Sequence, residues 1–164
     1  MANIQQIQVN SVNYPIAGYQ FDGEWVSAGG EWSSTSYVDL KGNITTIAAN
    51  GFKVIDLSAI IPPDGKPYMV SLQFDGNTTS TSGNYFTAHV AAGERSDYYT
   101  TGNKIPWVRF CEVRTRTSST RASGGMAQIP LSGTQRKITI CVTGNTCTVV
   151  TLTLNAYKRL GTNT

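Results

Sequence analysis

Arginine is the chemistry-bearing residue that clusters. Arg109, Arg114, Arg116 and Arg121 are four of seven arginines and fall within thirteen residues. Arg114 and Arg116 share a strand face, with Glu112 beside them. A planar guanidinium forks onto carboxylates and stacks on rings, so the cluster suits a salt-bridged solvated face or a contact with another subunit or particle. Trp107, Arg109, Arg114 and Arg116 are therefore the subunit-contact candidates. A net charge of +3 is far from the dense basic face of a nucleic-acid binder.

Acid–base chemistry has few carriers. His89 is the single histidine, and on a strand it reads as a hydrogen bonder. No Gly-x-Ser-x-Gly elbow and no phosphate-cradling loop occurs. Asp22, Asp64 and Asp75 each precede a glycine, which is turn chemistry. Glu24 with Glu31, or Glu94 with Asp97, would be the pairs for a glycosidase, but nothing in their setting singles them out. Clustered oxygen ligands for calcium are lacking, as is a second cysteine or histidine at metal-ligand spacing. The expectation is a protein that is not an enzyme, with no metal and no cofactor.

Three cysteines make an odd count. The opening MANIQQIQVN has no basic stretch followed by an apolar one, so no secretory signal is expected. Free thiols are the favoured expectation, with Cys111 as a small buried apolar residue and a Cys141–Cys147 bridge as the alternative. Asn43-Ile44-Thr45 and Asn77-Thr78-Thr79 then read as turns and not as glycosylation sites. No apolar run approaches 18 residues, so no membrane-spanning helix is expected.

Aromatic residues offer a binding chemistry instead. Tyr19, Phe21, Trp25 and Trp32 stand among Gly and Ser, and Tyr98-Tyr99 falls in the polar run 92–104. Such rings serve a core, a subunit contact or a platform on which sugars stack. Trp25, Trp32, Tyr98 and Tyr99 are the candidate glycan or receptor contacts.

The elements that must position these residues are strands. Residues 136–157 alternate Ile138, Ile140 and Val142 with Thr139, Cys141 and Thr143, then Val150, Leu152, Leu154 and Ala156 with polar residues. Period-two alternation around Thr143-Gly144-Asn145 predicts a hairpin with a three-residue loop, placing Cys141 opposite Cys147 on the outer face. Tyr68, Val70, Leu72 and Phe74 predict a second strand, and Phe86, Ala88 and Val90 a third. A strand is also expected at 52–55, a helical turn or bent strand at 56–61, and a strand near 108–117. Residues 126–131 predict a short edge strand interrupted by Pro130. Loops are expected at 75–84, 92–104 and 118–125. About eight short strands joined by Gly, Ser and Thr predict an all-β fold, an antiparallel β-sandwich of jelly-roll type.

Residues 1–18 differ from the rest. Ile4, Ile7, Val9, Val12, Tyr14 and Ile16 are spaced by polar residues and have little core of their own. They read as an attachment arm that orders on a partner, ahead of one domain at 19–164. Only 14% of the chain is charged, against a usual ~25%, and Gly numbers 16. A surface of hydroxyls and amides suits an extracellular or particle-bound β protein.

Asp56-Leu57-Ser58, Ile61-Pro62, Asp64-Gly65 and Tyr68-Met69-Val70 together resemble a pattern in small all-β accessory proteins of bacteriophage virions: head fibres, capsid decoration proteins and tail-fibre tips. The Met1–Ile16 arm and the closing Asn155-Ala156-Tyr157-Lys158-Arg159-Leu160 are similar to the attachment and final segments of such proteins. The resemblance implies a homotrimer of sandwich domains, docked by the arm on other virion proteins and assembled in the host cytoplasm. It implies a head fibre or capsid decoration protein, with a tail-fibre tip or host-surface glycan-binding module as the alternative, and neither nucleic acid nor membrane insertion.

Overall fold

A computed structural model describes residues 6–9, 12–15, 19–21, 25–29, 37–42, 44–78, 85–96, 107–114 and 121–162. These form thirteen strands. The short ones come first: β1 (Gln6–Val9), β2 (Val12–Pro15), β3 (Tyr19–Phe21), β4 (Val26–Ser27), β5 (Val38–Asp39) and β6 (Thr46–Ile47). Then follow β7 (Phe52–Asp56), β8 (Tyr68–Thr78), β9 (Tyr85–Ala92), β10 (Val108–Arg114), β11 (Arg121–Leu131), β12 (Lys137–Gly144) and β13 (Cys147–Thr162).

The strands divide into two packed sheets. One has the order β10-β9-β12-β7, the other β11-β8-β13, with β6, β5, β4 and β3 pairing successive stretches of the far edge of β13. All pairings are antiparallel. From β6 to β13 each connection crosses between sheets, except that β9 and β10 are neighbours. Interleaved Greek keys of this order make a jelly roll. β1 and β2 form a separate two-stranded sheet, with Ile7 paired to Tyr14 and Val9 to Val12.

Alternation places the core. Tyr68, Val70, Leu72 and Phe74 of β8 meet Phe86, Ala88 and Val90 of β9 and Ile138, Ile140 and Val142 of β12. Cys111 packs among them, as its apolar character requires. The residues after β7 make the expected helical turn, with Ile60 and Ile61 N–H both donating to Leu57 O at 2.9 Å.

Four expectations change. β12 and β13 are not a hairpin. Asn145 exchanges hydrogen bonds with Tyr85 on β9, its N–H donating to the Tyr85 carbonyl (2.8 Å) and its Oδ1 accepting the Tyr85 N–H (3.1 Å). That ties the Gly144 bend to the first sheet and sends the chain across to the second. Cys141 accordingly pairs with Phe52 and His89, and Cys147 with Ile47, in opposite sheets; both are buried and unbridged.

Val150 is exposed and not in the core. A bulge between Val149 and Thr151 leaves Val150 as the extra residue and reverses the parity of β13, so that Cys147 and Val149 point inward. Residues 75–78 continue β8 instead of opening a loop, because β11 and β13 pair with them on both sides. Asn77 is thereby a strand residue. β11 starts at Arg121, five residues before the expected strand; it is an edge strand, and Pro130 takes its register position opposite Met69.

Candidate functional site

The outer face of the seven-stranded sheet carries a recess built from described residues. Strand alternation on β8 sends Tyr68, Val70, Leu72 and Phe74 inward and leaves Met69, Ser71, Gln73 and Asp75 outward. Antiparallel register then aligns side chains across strands. Gln128, Ser71, Ala156 and Ser27 form one row, and Met126, Gln73, Thr153 and Asp39 the next. Gly124, Asp75 and Thr151 form a third.

A second bulge in β13, between Leu154 and Ala156, shapes this face. Leu154 stays in the core, and Asn155 is the extra residue beside Ala156. Bulges re-aim side chains, and here Asn155 is turned onto the outer face. Its Oδ1 accepts from the Thr153 hydroxyl (2.9 Å), and its carbonyl accepts the Ala28 N–H (3.1 Å).

Two adjoining hollows result. The first, about 410 Å³, is lined by Trp25, Ser27, Tyr37, Ser71, Met126, Asn155 and Ala156. The second, about 240 Å³, is lined by Tyr37, Gln73, Thr151, Thr153 and Asn155. Tyr37 and Asn155 border both. Tyr37 is 53% exposed and Met126 65%. β4 sets Trp25 against β13, where Lys158 Nζ lies 4.5 Å over its ring. Asp75 adjoins the second hollow and accepts from the Gln73 amide at 3.2 Å. The arrangement offers aromatic rings and uncharged hydrogen-bonding groups on a rigid floor whose backbone is already paired.

The opposite sheet's outer face is built differently. Register aligns Arg109, His89, Cys141 and Phe52 across its four strands. The Trp107 ring sits 6.3 Å from that of Phe52, so it packs within its own chain. Arg109 is exposed and bridges Glu112 at 3.2 Å. His89 is buried, and its pKa is held below the ordinary value by burial first and then by the Arg109 charge. It is neutral at physiological pH, as a structural histidine is.

The expected site residues are thus dispersed. Trp25 lines the first hollow, while Trp107 and Arg109 lie on the far side of the sandwich. Arg114 is the last residue of β10. Ile7, Val9, Val12 and Tyr14 occupy the β1–β2 ribbon. Ile4, Ile16, Trp32, Tyr98, Tyr99 and Arg116 lie outside the described residues, as do Glu24, Glu31 and Asp97. Glu94 is engaged by Lys137 at 2.8 Å. Among the described residues no three metal-ligating side chains gather.

Tyr37, Met126 and Asn155 were missed by sequence reasoning. Met126 was legible in principle, since Ala127, Ile129 and Leu131 hold the buried parity of β11. Asn155 depends on a bulge that has no sequence mark of its own. Compared with known proteins, the chain matches no family model and no curated protein.

Proposed function

We propose that this chain is a non-enzymatic structural protein of a bacteriophage particle, a trimeric head fibre or capsid decoration protein docked by its N-terminal arm. The observation that carries this reading is the separateness of β1–β2. The jelly roll closes from β6 to β13 without them, and they pair with neither of its sheets. A two-stranded ribbon by itself is marginal in water. One that carries Ile7, Val9, Val12 and Tyr14 gains stability by adding to a partner, where backbone hydrogen bonds supply affinity and alternate side chains supply register. The partner in this reading is another virion protein, and the sandwich faces outward.

Deleting residues 1–18 is expected to abolish co-sedimentation with the particle while leaving the melting transition in place. Attachment that survives the deletion defeats the docking role. Light scattering on the purified protein is expected to give three times the 17.7 kDa of one chain, since closed cyclic assemblies are the usual form of such oligomers.

The paired hollows favour a second reading that is compatible with the first: a host-surface glycan-binding module. Trp25 and Tyr37 there stand beside Ser, Thr, Gln and Asn side chains.

A further inference from the structure

We propose that the outer face of the seven-stranded sheet binds a neutral saccharide of at least two ring units, one on either side of Tyr37. The proposal rests on the glycan-binding reading and gives it a place, a ligand class and a minimum length.

Length comes from the partition. The hollows of about 410 and 240 Å³ share Tyr37 and Asn155 as a common wall. Together they lie in the range of small-molecule sites. A single compact ligand would leave one hollow empty, whereas a chain of rings passes over the wall and fills both.

Ligand class comes from the lining. A pyranose has an apolar C–H face and a rim of hydroxyls that each donate and accept. Trp25 and Tyr37 supply amphipathic rings for the former. Ser27, Ser71, Gln73, Thr151, Thr153 and Asn155 supply matching hydroxyls and amides for the latter. No lining residue of either hollow is charged. Asp75 adjoins Gln73, and Asp39 stands in register with Thr153. Two carboxylates beside the second hollow disfavour an anionic sugar there, and the Lys158 ammonium beside the first is already drawn over the Trp25 ring. A peptide strand is a poor alternative: the floor is β8 and β13, whose backbone groups are paired on both sides, so strand addition is closed here.

The test is an array of oligosaccharides, neutral (gluco, galacto, manno and N-acetylated) and anionic (sialylated and uronic), probed with the full chain. The expected result is binding to neutral chains of two or more units, weakened tenfold or more by Tyr37→Ala and by Trp25→Ala. Tyr37→Phe keeps the ring and retains binding. Arg109→Ala, on the opposite face, leaves it unchanged. Should Trp25→Ala fail to fold, Tyr37→Ala alters a largely exposed side chain and carries the comparison with a melting curve as control. No binding by the wild type to any saccharide overturns the proposal and the glycan reading together. Binding that neither variant weakens overturns the placement and leaves the reading standing. Binding confined to monosaccharides or to anionic chains overturns the ligand class.

Discussion

Arg136 grips Pro62 with two donors at once: its Nε and Nη2 both donate to the Pro62 carbonyl, at 3.1 and 2.7 Å. Nη1 donates to Ser132 O (3.1 Å) and Gln135 O (2.9 Å), and Nη2 also to Lys66 O (3.2 Å). Asp64 lies 3.5 Å away, and the guanidinium sits 5.1 Å from the centre of the Tyr68 ring. This buried cation therefore spends all five of its donors on turn carbonyls, clamping the 62–66 turn to the 132–136 turn.

Arg136→Lys is expected to cost about 3 kcal/mol, because an ammonium cannot reproduce the fork and breaking a buried charged network is expensive. For a chain of this size that lowers Tm by roughly 6–12 °C. Gly133→Ala is expected to act on the same clamp, since a Cβ there would lie 2.1 Å from Gly65 O, a backbone atom that cannot step aside. Calorimetry that finds Arg136→Lys within a degree of wild type would remove the clamp from the account of stability.

The same corner sets a pH dependence. Burial first, and then the hydrogen bond from its hydroxyl to Asp64 Oδ2 (2.8 Å), push the Tyr68 phenol up from 10.0 to about 12. A folded pKa above the unfolded one gives stability that is whole below pH 10 and is lost as the pH rises towards 12. Tyr68→Phe is therefore expected to flatten the alkaline limb of the urea midpoint between pH 10 and 12. Equal slopes in the two proteins would sink the assignment. On the acid side the sign reverses. The Lys66 N–H foremost, and then the Tyr68 hydroxyl, hold Asp64 below its usual 3.8. Its contribution is present above that value and is lost as the pH falls through the lower folded pKa.

The thiols are expected to be silent in the native state. Burial raises Cys111 and Cys141 to about 11 and Cys147 to about 12, so almost no thiolate exists near pH 8. A disulfide-forming reagent at pH 8 should label none of the three in the folded protein and all three in denaturant. Reduction should leave the intact mass unchanged, since Cys141 and Cys147 lie in opposite sheets. Rapid labelling of one thiol in the native protein would show a burial weaker than described.

Strand content and the buried parity of 68–74, 86–90 and 138–142 were legible because each run keeps one period over its whole length. β13 was only half legible. Its two bulges, at Val150 and Asn155, shift the parity twice within six residues, and a rule of period two has no means of seeing them. Asp-Gly was an ambiguous signal for a similar reason. Gly65 has φ +73° and makes the turn expected of it. Gly76 lies in mid-strand, where a Cβ would stand 2.5 Å from the Cys147 sulfur. One glycine answers to backbone conformation and the other to a neighbour 71 residues away, which no local pattern encodes. The paired hollows depend on such long-range register throughout. Only Trp25 among their lining residues was a candidate from composition.

Adjacent glycines on β11 should behave in opposite ways. A Cβ on Gly125 would lie 1.9 Å from Phe110 O. Phe110 is the extra residue of the β10 bulge, and its ring stacks on Phe74 at 5.5 Å. Gly125 is therefore where the free edges of the two sheets close on each other, backbone against backbone. Gly125→Ala must part them, at a cost of about 1–3 kcal/mol by analogy with overpacked cores. At Gly124 the nearest atom is the Asp75 carboxylate oxygen, the end of a side chain that can rotate away. Losing glycine's extra unfolded-state freedom offsets that movement by about 0.5–1 kcal/mol. Gly124→Ala is thus expected to sit close to wild type in Tm while Gly125→Ala falls well below it. Equal melting points for the two variants would mean that β10 and β11 do not meet at Gly125 as tightly as this packing requires.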